Sequence, residues 1–149
     1  MKIILLVDDD PDILASTASL LKKRGFDVIE AQDAETALEI LRGQRPDLIV
    51  TDVLLPKMNG YEFVKEVKSG VFTADIPVLV MTGRGQMKES FEAAGVNAFI
   101  QKPFSPDALM EKIIEITGTD EIAKNSQTRF FRKILILGRR GQLDLLNNI

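Results

Sequence analysis

The chain has no histidine and no cysteine. Without histidine it lacks the commonest general base, the usual transition-metal ligand and any phosphohistidine chemistry of its own. Without cysteine it has no disulfides, thiolate metal sites or thiol nucleophiles. Long apolar runs are missing as well. The opening run, Ile3 to Val7, is five residues long and is followed at once by Asp8, Asp9 and Asp10. A secretory leader needs roughly 7–15 apolar residues and a small-residue cleavage site. No later run approaches the ~20 residues of a membrane span. The protein is therefore expected in the cytoplasm, with no membrane partner. What remains for chemistry is carboxylates, hydroxyls, lysines and backbone.

What is present is close to a globular average. The 149 residues are 45% hydrophobic and 28% charged, a length that fits one domain or one domain plus an appendage. The net charge of −3 hides a split. Residues 1–117 hold 13 lysines plus arginines against 19 acidic residues, whereas residues 118–149 hold 6 against 3. An acidic body and a basic tail are implied.

Apolar runs alternate with amphipathic stretches along the body. Ile3–Val7 is apolar throughout, as a strand covered on both faces requires. Residues 11–24 carry Ile13, Leu14, Thr17, Leu20 and Leu21 at helical spacing, with Asp10 as cap, Pro11 in the first turn and Gly25 as terminator. Phe26–Glu30 reads as a weaker strand, and Asp33 caps a helix bearing Ala34, Ala37, Leu38 and Leu41. Leu48–Val50 is the next buried strand. Residues 60–68 form a helix, Val78–Met81 a strand after Pro77, residues 86–94 a short helix and Asn97–Gln101 a fifth strand. Ser105 and Pro106 open a last helix through Ile116. Five such βα units predict an α/β fold, a doubly wound parallel sheet of five strands with helices on both faces.

Ligands of such sheets bind at the carboxyl ends of the strands. Asp8, Asp9 and Asp10 follow the first strand, Asp52 the third, Thr82 ends the fourth and Lys102 follows the fifth. Each has an ordinary alternative, since aspartates cap helices, threonines fill strands and most lysines are simply solvated. Their arrival together at one edge points to a site. A carboxylate is a competent phosphoryl nucleophile. Gathering negative charge there calls for a divalent cation, and Mg²⁺ suits one or two carboxylates plus phosphate. Lys102 and Thr82 are placed to stabilise a transferred group.

Four segments carry a family resemblance. They are Leu6-Val7-Asp8-Asp9-Asp10, Asp52-Val53-Leu54-Leu55-Pro56-Lys57-Met58-Asn59-Gly60, Met81-Thr82-Gly83 and Gln101-Lys102-Pro103-Phe104. Over residues 1 to about 117 the chain resembles the CheY-like receiver domain of bacterial response regulators in two-component signalling. That resemblance implies a flavodoxin-like sheet of order 2-1-3-4-5 and a phosphorylation-controlled switch with Asp52 as phosphoacceptor. It implies Mg²⁺ held by Asp9 and Asp52 directly, by Asp8 directly or through water, and by the backbone carbonyl of Leu54. It implies a Thr82–Phe99 switch pair. It also implies a sensor histidine kinase, phosphotransfer protein or acyl phosphate as donor, and a downstream protein target. Such a domain catalyses only its own phosphorylation and dephosphorylation.

Two departures stand out. The stretch from Thr82 to Lys102 is shorter than is common in that family, so its helix is expected to be short. Leu54 is apolar and Arg84 basic at positions that, in that family, influence attack by water on the phosphoaspartate. Other function classes find less support in the residues. Gly83-Arg84-Gly85 lacks the third glycine of a dinucleotide loop, and no P-loop pattern occurs. Nothing favours a flavin among the aspartates. A Mg²⁺-dependent phosphohydrolase with an aspartyl nucleophile is chemically adjacent, but would turn over substrate continuously. The receiver could also be part of a larger DNA-binding or enzymatic effector.

Residues 118–128 are polar and read as a linker. Residues 129–149 are basic and apolar, with Phe130, Phe131 and Ile134–Leu137, and are too short to bury that surface alone. They are expected to pack on a receiver surface, in a homodimer rather than a lone monomer, or to begin a truncated output domain. They are too short for a DNA-binding module, so nucleic acid is not an expected partner of this chain alone.

Overall fold

Strands form where consecutive apolar residues can be covered on both faces. In the computed structural model, which describes residues 2–83 and 88–118, these are β1 (Ile3–Val7), β2 (Asp27–Ala31), β3 (Leu48–Asp52), β4 (Val78–Thr82) and β5 (Ala98–Gln101). All pair in parallel, in the order β2-β1-β3-β4-β5. The expected doubly wound order 2-1-3-4-5 is the observed one. β4 is buried at every residue, whereas the edge strands β2 and β5 are only partly buried. Edge position explains why their sequences are less uniformly apolar.

The helices are α1 (Pro11–Lys23), α2 (Ala34–Gly43), α3 (Gly60–Ser69), α4 (Lys88–Ala93) and α5 (Pro106–Thr117). Alternate strand residues point to opposite faces, which divides the core in two. Ile4, Leu6, Leu48, Val50, Leu79 and Met81 pack with Leu14 and Leu21 of α1 and Leu109 and Ile113 of α5. Leu5, Val7, Ile49, Val78 and Val80 pack with Ala34 of α2, Phe63 and Val64 of α3 and Phe91 of α4.

Local signals fix where helices start and stop. The Asp10 carboxylate accepts from the amides of Asp12 (2.9 Å) and Ile13 (3.3 Å). Asp33 accepts from Thr36 (2.7 Å) and Ser105 from Ala108 (3.1 Å). The Thr36 hydrogen bonds hold the Asp33 carboxyl below its ordinary pKa. Asn59 caps α3 by accepting from Glu62 (2.9 Å). Gly25, at φ 92°, follows α1 in a conformation that favours glycine.

Boundaries shifted by small amounts. β2 starts at Asp27, because the Phe26 amide still donates to the Leu21 carbonyl at the end of α1 (3.1 Å), whereas the Asp27 amide donates to the Lys2 carbonyl (2.9 Å). β3 runs through Asp52 rather than ending at Val50, since pairing with β4 extends to Asp52 and Met81. β5 starts at Ala98, not Asn97. The Asn97 side-chain carbonyl instead accepts from the Val78 amide (2.9 Å). α4 has six residues, the short helix expected there. The proposed linker beyond Gly118, the tail 129–149 and Arg84 lie outside the described residues.

Candidate functional site

The chain runs from β1 outward through β2 to one side and through β3 to the other. The crevice between the carboxyl ends of β1 and β3 is therefore the topological switch point, where such sheets bind ligands. β1 delivers Asp8 and Asp9 to it, and β3 delivers Asp52. Carboxylate oxygens of the three lie within 4.8 Å of one another. Asp8 is buried, with 1% exposure, Asp52 is half-buried and Asp9 is exposed. The set thus grades from protein interior to water.

A buried carboxylate needs partners for each oxygen. One Asp8 oxygen accepts from the Asp10 amide at 3.0 Å. The other accepts from the Lys102 ammonium at 2.9 Å. Asp52 is held in the same manner, by the Val53 amide at 2.8 Å and by Lys102 at 2.9 Å. One ammonium thus bridges carboxylates contributed by β1 and β3. Burial alone would lower the Lys102 pKa. The hydrogen bonds and charges of Asp52 and Asp8 outweigh it, and the net shift is upward.

The backbone fixes these groups. Lys102 follows β5, and its amide donates to the Thr82 carbonyl at 2.8 Å. That bond carries the lysine across to the end of β4. Thr82 itself is buried at the last position of β4, one strand over from Asp52. α3 begins directly beneath Asp52, where the Gly60 amide donates to the Val53 carbonyl at 2.8 Å. A side chain at Gly60 would collide with the carbonyl oxygen of Asp52 and the backbone of Val53. This explains the glycine ending the Asp52–Gly60 segment. The turn between β3 and α3 places Lys57 at φ 66°, an uncommon backbone state for a lysine.

The sequence-derived site residues Asp8, Asp9, Asp52, Thr82 and Lys102 all lie at this edge. Leu54 sits two residues beyond Asp52, with its side chain 72% exposed. Phe99 lies further down β5, opposite Val80, and its ring meets that of Phe91 edge-on at 6.2 Å. Phe91 in turn meets Tyr61 of α3 at 5.6 Å. That aromatic contact draws on three separate elements, so no local spacing announces it. Purely oxygen donors in a half-open cluster suit a hard cation that keeps some of its water, such as Mg²⁺, and not a soft metal.

Comparison with known proteins agrees with this geometry. The model of the response regulator receiver domain matches residues 4–114. The chain belongs to the response regulator receiver family. Over 112 residues it is 37% identical to the phosphate regulon transcriptional regulatory protein PhoB of Escherichia coli (strain K12), covering 74% of this chain and 49% of that protein. The receiver spans about half the length of the curated relatives it matches.

Among solved structures, the chemotaxis response regulator CheY4 of Vibrio cholerae superposes with a TM-score of 0.75 at 31% identity, covering 78% of this chain and 98% of that one. The receiver domain of sensor histidine kinase PA1611 from Pseudomonas aeruginosa PAO1 was solved with a magnesium ion in its active-site cleft. It superposes with a TM-score of 0.74 at 27% identity, covering 79% of this receiver and 98% of that chain. Receivers are signalling domains of two-component systems. Among the described residues, no helix is long and apolar enough to cross a membrane.

Proposed function

We propose that Asp52 is the phosphoacceptor of this receiver. The observation that carries the assignment is the Lys102 ammonium, 2.9 Å from both Asp52 and Asp8. It sits where a transferred phosphoryl group would bring further negative charge. An Asp52 carboxylate oxygen attacks phosphorus, an aspartyl P–O bond forms, and the P–N bond of a phosphohistidine or the P–O bond of an acyl phosphate breaks. The chain has no histidine, so the donor is a sensor histidine kinase, a phosphotransfer protein or a small acyl phosphate. Lys102 neutralises charge on the transferred group, and the Thr82 hydroxyl donates a hydrogen bond to it.

Asp8, Asp9, Asp52 and the Leu54 carbonyl are assigned to Mg²⁺. When bound, the ion neutralises the clustered carboxylates and the incoming phosphoryl oxygens. Phe99 is assigned to the switch. Movement of the Thr82 hydroxyl toward the phosphoryl group opens space beside β4 for the ring, and the protein shifts between two populated states rather than refolding. The partners are the donor and a downstream target. PhoB carries the name of a transcriptional regulator and is about twice as long as the aligned region, which supports placing this receiver in a larger transcriptional effector.

Incubation with acetyl phosphate and Mg²⁺ is expected to add one phosphoryl group per chain by intact mass, and EDTA to suppress it. Asp52→Asn should remove the modification. Unchanged labelling in that variant refutes the assignment, and continuous release of phosphate far above one equivalent would favour a phosphohydrolase.

A further inference from the structure

Four large apolar side chains are exposed among the described residues: Ile13, Leu54, Val71 and Phe72. Ile13, in the first turn of α1, and Leu54, just after β3, flank the carboxyl edge, where a phosphodonor surface must approach. Val71 and Phe72 are at the opposite edge, in the α3–β4 connection, and are 89% and 85% exposed. The proposed phosphoryl chemistry does not use them.

The connection that presents them is firmly held. The Thr73 hydroxyl donates to the Val67 carbonyl at 2.6 Å, and the Ala74 amide to the Gly70 carbonyl at 2.9 Å. The Lys68 ammonium, whose pKa is pushed down by burial against the opposing pull of Asp75, donates to the carbonyls of Ala74 (3.2 Å) and Ile76 (2.8 Å). The Arg45 guanidinium donates to the Phe72 carbonyl and pairs with Asp75 at 2.9 Å. Two apolar side chains are thus fixed in water beside a groove of about 730 Å³ running between the ends of α2 and α3, with Leu38 and Leu41 in its wall and Glu66 at its rim. Fixed, adjacent apolar groups beside a concavity of this size are the signature of an interaction surface.

We propose that this groove is the docking site of the chain's own residues 129–137, which include Phe130, Phe131 and Ile134–Leu137. Three observations select this occupant. First, α5 returns antiparallel to the strands, as a helix following a parallel strand must, so its cap Gly118 lies at the same amino-terminal strand edge as the groove. Second, the eleven residues 118–128, most of them polar, reach roughly 35 Å when extended, about the width of a domain of this size. That is enough to pass from the α5 face around the edge to the groove between α2 and α3. Third, the segment supplies apolar side chains to cover Val71, Phe72, Leu38 and Leu41, and the two arginines of the lining, Arg42 and Arg45, are already paired with Glu39 and Asp75, within a body whose residues 1–117 carry an excess of six acidic charges against the basic segment. Tethering raises the local concentration of the segment to roughly the millimolar range, so a few buried side chains suffice to hold it.

The absence of native cysteine makes disulfide trapping clean. In the full chain, Glu66→Cys with Lys133→Cys places one thiol on the groove rim and one within the segment, sparing the apolar anchors. Ser19→Cys with Lys133→Cys is the control, because Ser19 is exposed on α1 on the other face. Under mild oxidation in dilute solution, the groove pair is expected to close within one chain at least about tenfold faster than the control. Phe72→Glu should accelerate trypsin cleavage at Arg129 and Arg132 by about tenfold or more, because cleavage follows the undocked population. Retained acetyl phosphate labelling shows that each variant is folded. Equal closure of the two pairs, a disulfide formed only between chains, or a cleavage rate unmoved by Phe72→Glu overturns the proposal.

Discussion

The two edges of the sheet are made of the same parts, short connections between strands and helices, yet they gather opposite kinds of side chain. At the carboxyl edge, charged groups are drawn inward. Asp8 is fully buried, and it shares the Lys102 ammonium with Asp52. At the amino edge, apolar groups are pushed outward, and Val71 and Phe72 stand almost fully in water on a tightly bonded connection. Burial of charge is costly unless it is paired, and exposure of adjacent apolar groups forgoes burial that a domain normally takes. Each edge departs from the ordinary distribution in its own direction. The proposed phosphoryl chemistry accounts for the first departure, and the proposed docking segment for the second.

Substitutions that act on one edge alone separate these explanations. The largest expected effect is at Lys102. Lys102→Met should slow Asp52 labelling by about a hundredfold or more, the usual effect of losing one electrostatic stabiliser. It should also change the alkaline limb of stability. Because pairing raises the folded pKa of Lys102, its contribution is fully present below the ordinary lysine range and is lost as pH rises through the folded value. The variant should lack that alkaline loss in thermal melts across pH, and an unaltered alkaline limb would show that the bridge contributes nothing to folding.

A matched glycine pair sets the next effect. Gly60→Ala forces a methyl group against the Asp52 carbonyl and the Val53 backbone. It should lower urea stability by about 1–3 kcal/mol and slow labelling by shifting Asp52. Gly43→Ala, at the amino edge, meets nothing within 4 Å among the described residues and should leave the urea midpoint unchanged, or raise stability by roughly 0.5 kcal/mol through reduced chain entropy. Equal urea midpoints for the two variants would contradict the close approach beneath Asp52.

The smallest effect concerns a helix cap. Asp33→Ala should cost about 1 kcal/mol at neutral pH. Its folded pKa is depressed, so the wild-type advantage is present above the unfolded aspartate value and disappears as pH falls through the folded one. Chemical denaturation at neutral and strongly acidic pH checks this, with the two proteins converging only in acid. Labelling by acetyl phosphate should be unaffected.

Most of the carboxyl edge was legible in sequence because strand ends can be located from apolar runs. Asp8, Asp9, Asp52, Thr82 and Lys102 each terminate or follow such a run, and the parallel topology does the rest. The strand order needed the family resemblance, since alternation predicts a parallel sheet but not which strands are neighbours. Gly60 was visible as a glycine but not as a contact, because the collision it avoids lies with Asp52, eight residues away in sequence. The Tyr61–Phe91–Phe99 rings and the groove beside Phe72 were not legible. They depend on packing between α3, α4 and β5, and between α2 and α3, for which no periodicity within one element gives a signal. Val71 and Phe72 fall between the helix and the strand read from the sequence, where no pattern marks them, and are exposed in the fold.

The central claim, that the carboxyl edge is a phosphoacceptor site built on Asp52, is tested most directly by locating the modification. Acetyl phosphate treatment with Mg²⁺, followed by borohydride reduction of the acyl phosphate and peptide mass spectrometry, should find one altered aspartate per chain. The account predicts it at Asp52, with Asp8 and Asp9 unmodified. Modification at Asp8 or Asp9, or on several aspartates with no preference, would contradict it.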